Sequence, residues 1–280
     1  MVIPEKLTMR KIIGIQGIKG SYHHQVALNY FGEDVEINEC MSFQELITNL
    51  ETGVCTDAVM AIENSIAGSI IPNYAYIDEH EVSICGEYYL PIHHCLMALE
   101  AQSINDIKEV YSHPMALLQC KEFFKQHSHI KLIEDADTAE VAKRIQDKKL
   151  KGVAAIAGKT AASIYNLAVL AEDIQTIKTN CTRFFILNKN KSKETNVNKA
   201  SLKFILDHQQ GSLAAILNVM SNCKLNLTKI QSLPVIDRPW KYAFFADVAF
   251  DSVNDYKKAL SIMEIMATDI KVLGEYKNNK

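Results

Sequence analysis

Five short polar clusters stand in the first two thirds of the chain, each where an apolar run gives way to a turn or a helix start. The first is GIQGIKGS (Gly14 to Ser21). Its backbone N–H groups and the dipole of the helix that follows would suit an anionic group. Its glycines are spaced G-x-x-G-x-x-G with no G-K-[ST], which fits neither a dinucleotide fingerprint nor a P-loop and leaves a plain tight turn as the other reading. The second run, DAVMAIENSIAGS, is apolar until Glu63, Asn64 and Ser65, hydrogen-bonding groups placed where open α/β sheets bind ligands. SHP (Ser112 to Pro114) closes a third run, and DTAE (Asp137 to Glu140) opens a helix with Thr138 as its expected N-cap. In NCTRFFIL, Asn180, Thr182 and Arg183 precede an apolar strand. The Arg183 fork suits a carboxylate, where charge-assisted bonds contribute about 1.5 to 3 kcal/mol; a surface ion pair is the bland alternative. The pairs His23-His24 and His93-His94 lack i, i+4 spacing, so no metal site is expected.

These clusters need a scaffold that brings strand ends together. Short apolar runs alternate with amphipathic stretches from Lys11 to about Asn188, the pattern of a largely parallel α/β sheet covered on both faces. Strands are expected at Lys11 to Ile15, Ala58 to Ile62, Cys95 to Leu99, Glu109 to Ser112, Lys131 to Glu134 and Val153 to Ile156. Helices are expected at Ser42 to Glu51, Pro114 to Gln126 and Thr138 to Lys148. NKNKSKETNVNK (Asn188 to Lys199) reads as a solvated linker, placing a boundary at 189–199. Beyond it the order strand (Ser201 to Leu206), helix (Ser212 to Ser221), two strands (Asn226 to Pro234, Tyr242 to Phe250), helix (Asn254 to Met266) and strand (Ile270 to Gly274) is βαββαβ, a ferredoxin-like arrangement over 200–276.

Composition sets the frame. At 280 residues, 48% hydrophobic and 22% charged, the chain has ordinary globular usage and length for about two domains. A formal net charge of −3 argues against a broad cationic face for nucleic acid or anionic lipid, so a small ligand is expected. Seven scattered cysteines without C-x-x-C argue against a disulfide framework or zinc cage. The opening MVIPEKLTMR lacks a secretory pattern and no apolar run approaches the ~20 residues of a membrane span, so a cytoplasmic protein is expected.

In this order the clusters resemble the prephenate dehydratases across essentially Gly14 to Leu187. The similar runs are Gly17 to Tyr22, IENSIAG (Ile62 to Gly68), SHPMALLQC (Ser112 to Cys120), TAEVA (Thr138 to Ala142) and NCTRFF (Asn180 to Phe185). YNLAVLAEDIQ (Tyr165 to Gln175) is similar to the family's approach to its Thr-Arg-Phe motif. The resemblance implies a two-lobed core like type II periplasmic binding proteins, with the active site between lobes of about 11–89 plus 166–188 and 90–165.

It also implies decarboxylating dehydration of prephenate to phenylpyruvate, driven by aromatisation, without cofactor or metal. The Thr182 hydroxyl would serve the departing hydroxyl, Arg183 would bind a carboxylate and polarise the surroundings of Thr182, and Phe184 would form a dry wall. Ser21, Glu63, Asn64, Ser65, Ser112 and Thr138 would position the substrate. Two positions depart from the family pattern: His23 stands where a serine is common, as a new titratable group near the cleft, and Met115 stands where SHPQA is usual.

The C-terminal part resembles the ACT domain fused to many such dehydratases, which senses phenylalanine between paired domains. Its matches are GSLAAIL (Gly211, Ser212, Leu213 onward), NLTKIQS (Asn226, Leu227 onward) and QSLP (Gln231, Ser232, Leu233, Pro234), where Gln231 and Leu233 replace the charged residues of ESRP. A homodimer or homotetramer with phenylalanine as effector is the implied assembly. Arogenate dehydratase and a non-catalytic amino-acid sensor are the competing readings. A fused chorismate mutase is not expected, since about ten residues precede the first strand.

Overall fold

The computed structural model describes residues 10–190, 195–235 and 241–279. Positions 1–9 of the opening segment and 191–194 of the expected linker lie outside the described residues.

The chain runs β1 (Ile12–Gln16), α1 (Tyr22–Phe31), β2 (Glu36–Cys40), α2 (Phe43–Thr52), β3 (Asp57–Asn64), β4 (Gly68–Ser69), α3 (Ile71–Glu79) and β5 (Ser83–Pro91). There follow β6 (Cys95–Ala98), β7 (Glu109–Ser112), α4 (Pro114–Gln119), α5 (Lys121–Lys125), β8 (Lys131–Glu134), α6 (Thr138–Lys148), β9 (Val153–Ala157), α7 (Lys159–Ile164) and β10 (Ala168–Ala171). Last come β11 (Cys181–Asn188), β12 (Lys199–Ile205), α8 (Ser212–Asn222), β13 (Asn226–Pro234), β14 (Tyr242–Ala249), α9 (Val253–Met266) and β15 (Asp269–Tyr276). The described residues form two compact units, one of those up to Ser69 with Tyr89–Phe184, the other of Ile70–Tyr88 with those from Phe185 onward.

The largely parallel sheet pattern expected from Lys11 to about Asn188 is folded as two mixed sheets. One has the order β2-β1-β3-β11-β5, with β4 on β3; the other is β10-β6-β9-β7-β8. β1 pairs in parallel with β2 and β3, whereas β6 runs antiparallel to β9 and β10. Six successive residues of β3, Asp57 to Ile62, are buried, so the run Ala58 to Ile62 is continuously apolar instead of alternating. In the second sheet, Cys95 and Met97 of β6 pack with α6 and α7, while Leu96 and Ala98 pack with α4 and α5. That period of two covers both faces.

Four local expectations change. The helix expected over 114–126 breaks at Cys120 (φ −101, ψ 6) into α4 and α5. The cap of α6 is Asp137, whose carboxylate accepts from the backbone N–H groups of Ala139 and Glu140; Thr138 is the first helical residue. β10 pairs with β6, so 168–171 belongs with the second lobe and not the first. Lys199, read as linker, is 2% exposed, because its ammonium lies 2.8 and 2.9 Å from the two oxygens of the buried Glu87 carboxylate.

In the second unit, β13-β14-β12-β15 form an antiparallel sheet whose apolar face holds α8 and α9 through Ile216, Met220, Tyr256 and Met263. Segment 70–88, expected in the first lobe, packs here. The Tyr74 ring is 5.3 Å from that of Phe245, and Asp78 pairs with Lys203 at 2.8 Å. A Cβ at Gly274 would sit 2.1 Å from the Ile84 carbonyl oxygen, so only glycine permits that approach.

Candidate active site

Thr182 stands at the start of β11, half-buried, beside the end of β3. Asn64 Nδ2 donates to Thr182 Oγ1 at 2.9 Å and to Asn180 Oδ1 at 2.8 Å. Asn64 Oδ1 accepts from the backbone N–H groups of Ile66 (3.0 Å) and Ala67 (2.9 Å). Backbone donors cannot be reversed, so the amide of Asn64 has one orientation and Thr182 Oγ1 is an acceptor towards it. Among the described residues the Thr182 proton meets no acceptor. A threonine hydroxyl with a lone pair engaged by a donor is a better donor itself.

Ser65 lies in the same corner. Its N–H donates to the Cys181 carbonyl at 2.8 Å and its Oγ accepts from the Cys181 N–H at 3.0 Å, which splices the 64–67 turn to β11. Glu63 is half-buried one residue earlier, and Phe184 is 1% exposed two residues beyond Thr182.

The glycine-led loop packs against the second lobe. Gly17 (φ +89) and Gly20 (φ +94) occupy backbone space open to glycine, and Cβ atoms there would fall 3.1 Å from Asp137 Oδ2 and from the Ala161 backbone. Tyr165 Oη donates to the Lys19 carbonyl at 2.5 Å. The loop of one lobe thus touches the helices of the other. It is no anion cradle, because its N–H groups at Gly17, Lys19, Gly20 and Ser21 already donate to Cys40 O, Glu39 Oε1, His24 Nδ1 and Ile18 O.

A protein-family model for prephenate dehydratase matches residues 13–192. The chain belongs to the prephenate dehydratase family. It is 32% identical to the bifunctional chorismate mutase/prephenate dehydratase of Enterobacter agglomerans, over 94% of this chain and 70% of that protein. It is 33% identical to arogenate dehydratase/prephenate dehydratase 2 of Arabidopsis thaliana, over 94% and 72%. The fold matches a prephenate dehydratase from Arthrobacter aurescens solved in complex with L-Phe (TM-score 0.85, 23% identity, 95% of this chain and 90% of that one). It also matches a protein described as a novel type of quorum quenching acylase (TM-score 0.87, 23% identity, 96% and 98%). At those identities both structures speak to the fold alone.

Arg183 follows Thr182 on β11. Neighbours on a strand point to opposite faces. Arg183 is 5% exposed and its guanidinium lies 5.8 Å from the Tyr89 ring centroid, so it is a buried side chain and not a surface one. Ser112 is fully buried and donates to the Ile156 carbonyl at 2.7 Å, tying β7 to β9. Ser21 caps α1 by accepting from the His24 N–H. Thr138 is half-buried at the start of α6.

His23 packs its ring against Phe43 and Phe184, with centroids 5.7 and 5.1 Å away, and its Nε2 accepts from the Ala61 N–H. Burial pushes its pKa down to about 3, so the family's serine position carries a neutral aromatic wall here and not a titrating group. Met115 is half-buried in the first turn of α4, where its N–H donates to His113 Nδ1. Among the described residues no group of His, Cys, Asp or Glu could hold a metal ion.

In the second unit, Gly211 (φ +87) precedes α8, and a cavity of about 100 Å³ is lined by Ser212 and Leu213 together with Leu206, Lys241, Tyr242 and Phe244. Asn226, Leu227, Gln231, Ser232 and Pro234 lie along β13, outside that lining.

Residues that sequence reasoning passed over complete the site. Asn180 Nδ2 donates to Gln119 Oε1 at 2.9 Å, the same oxygen lies 2.8 Å from His94 Nε2, and His94 Nδ1 lies 2.8 Å from Tyr22 Oη. The sequence held one signal for them: Gln119 and Tyr22 fall inside family-like runs, whereas His94 drew notice only as half of a metal pair.

Proposed function

We propose that this chain converts prephenate to phenylpyruvate, carbon dioxide and water at the Thr182 corner. The ring carboxylate leaves as carbon dioxide, its bonding electrons enter the ring, the C–O bond breaks, and the departing hydroxide takes up one proton as aromaticity forms. Thr182 hydrogen-bonds to that hydroxyl and hands over the proton, which solvent replaces. The observation that supports this most is the fixed Asn64 amide, which engages a lone pair of Thr182 and leaves its proton for the substrate. Asn64, and not Arg183, then polarises the hydroxyl. Ser65 and Glu63 flank the substrate, and the Phe184–His23 wall keeps the corner dry. The fragmentation needs no redox partner or metal.

Residues 200–276 form an ACT-type regulatory domain that takes phenylalanine between two copies of the chain in a homodimer or homotetramer. The βαββαβ order supports this, as does a cavity well below the ~300 Å³ of small-molecule pockets, which a second copy would complete. A reducing, cytoplasmic setting fits seven scattered cysteines with no C-x-x-C among them. Arogenate is the second substrate reading, favoured by the 33% identical plant relative named for it.

The test is phenylpyruvate formation from prephenate by the purified chain, beside arogenate, with and without phenylalanine. Turnover of prephenate that phenylalanine lowers is expected. Turnover of neither substrate would overturn the proposal in favour of a non-catalytic sensor.

A further inference from the structure

Five side chains continue from Thr182 in one hydrogen-bonded series that passes through the second lobe, and the polarity of the series can be read from its Asn64 end. Asn64 is oriented by two backbone donors, so it presents N–H to Asn180, which must answer with Oδ1. The Asn180 amide then turns Nδ2 towards Gln119, which must answer with Oε1. That oxygen faces a second partner, His94 Nε2, which must therefore carry hydrogen. Nδ1 then faces the Tyr22 hydroxyl at 2.8 Å, whose one proton is shared with the His93 carbonyl at 2.9 Å. His94 and Asn180 are 2% and 1% exposed, so no water competes for these positions. The His94 N–H further donates to Gln175 Oε1 at 2.9 Å, which holds the backbone that aims the ring.

We propose that His94 is a positioning residue for the dehydration: its Nε2–H anchors Gln119, and through Asn180 and Asn64 it keeps the Thr182 hydroxyl presenting its proton to the substrate. His94 and Gln119 belong to the second lobe, and Asn64 and Thr182 to the first sheet. The donor is thereby aligned only while the lobes are docked. This rests on the assignment of Thr182 above.

The test compares His94→Leu, which removes the donor, with His94→Gln, whose amide N–H reaches the Nε2 position. Both are assayed with prephenate and checked for folding by circular dichroism. His94→Leu is expected to lower kcat about tenfold with KM within about twofold, and His94→Gln to recover most of the loss. In a Thr182→Ala background, His94→Leu is expected to add little further loss, because it acts through the missing hydroxyl. Equal losses in both variants, a KM effect with kcat intact, or a full tenfold loss on top of Thr182→Ala would each overturn the role. If Leu unfolds the protein, the Gln variant and its Thr182→Ala cycle carry the same decision. An inactive wild-type chain would instead sink the dehydratase reading itself.

Discussion

The two units bury polar groups to different ends. Around Thr182 the hydrogen-bonded series is made of neutral amides, an imidazole and hydroxyls, arranged so that the Thr182 proton is left over. In the second unit the buried groups include ions. Lys199 and Glu87 are 2% and 0% exposed and paired with each other at 2.8 Å, and Asp247, 3% exposed, accepts from the Ser201 hydroxyl at 2.5 Å. A sealed ion pair has satisfied its charges and offers nothing outward. A directional chain of neutral groups can end on a hydroxyl that still has work to do.

That contrast can be broken from either side. Thr182→Ala should leave the fold intact and lower kcat by about 10² to 10⁴, the usual worth of a positioned proton donor; near-normal steady-state turnover would show the leftover proton to be idle. Asn64→Asp places an acceptor where Thr182 needs a donor, so its hydroxyl should turn inward and kcat should fall about a hundredfold with a small change in KM.

Lys199→Met should act on stability alone. Stranding the Glu87 carboxylate should cost about 3 to 5 kcal/mol in a denaturant melt, and adding Glu87→Leu should restore most of it. If kcat fell and the melt did not move, the second unit would not be the sealed region described.

The smallest effect concerns acid. His23 has a folded pKa of about 3 against about 6.5 unfolded, so the unfolded chain binds the extra proton first. Its contribution is complete above about pH 6.5 and is lost as pH falls towards 3, by up to about 1.4 kcal/mol per pH unit. His23→Phe should flatten that slope in urea melts at pH 4 to 7 without moving the pH profile of kcat. A shifted kcat profile would mean that the ring titrates within the cleft.

Much of this was legible in the residues. The strand ends at Asn64, Ser112 and Thr182, the ferredoxin-like order after Lys199 and the family itself follow from apolar periodicity and from clusters in fixed order, which are local properties of the chain. What failed was side-chain direction. Arg183 looked like a carboxylate ligand because its fork suits one, yet β11 turns it to the face opposite Thr182, over Tyr89. Ser112 looked free at a strand end, yet its hydroxyl is spent on Ile156. Lys199 looked solvated among Asn and Lys neighbours, yet its partner stands 112 residues earlier.

By itself the sequence determined which segments are strands and helices, because apolar spacing and capping residues act over a few positions. It also determined the family, because five motifs in order leave few alternatives. Only the tertiary structure decided which groups face one another: that Gln119 reaches Asn180 across 61 residues and Asn64 reaches Thr182 across 118. The physical reason is that a hydrogen bond is set by angles and distances fixed by packing from several elements at once, and no local pattern encodes them.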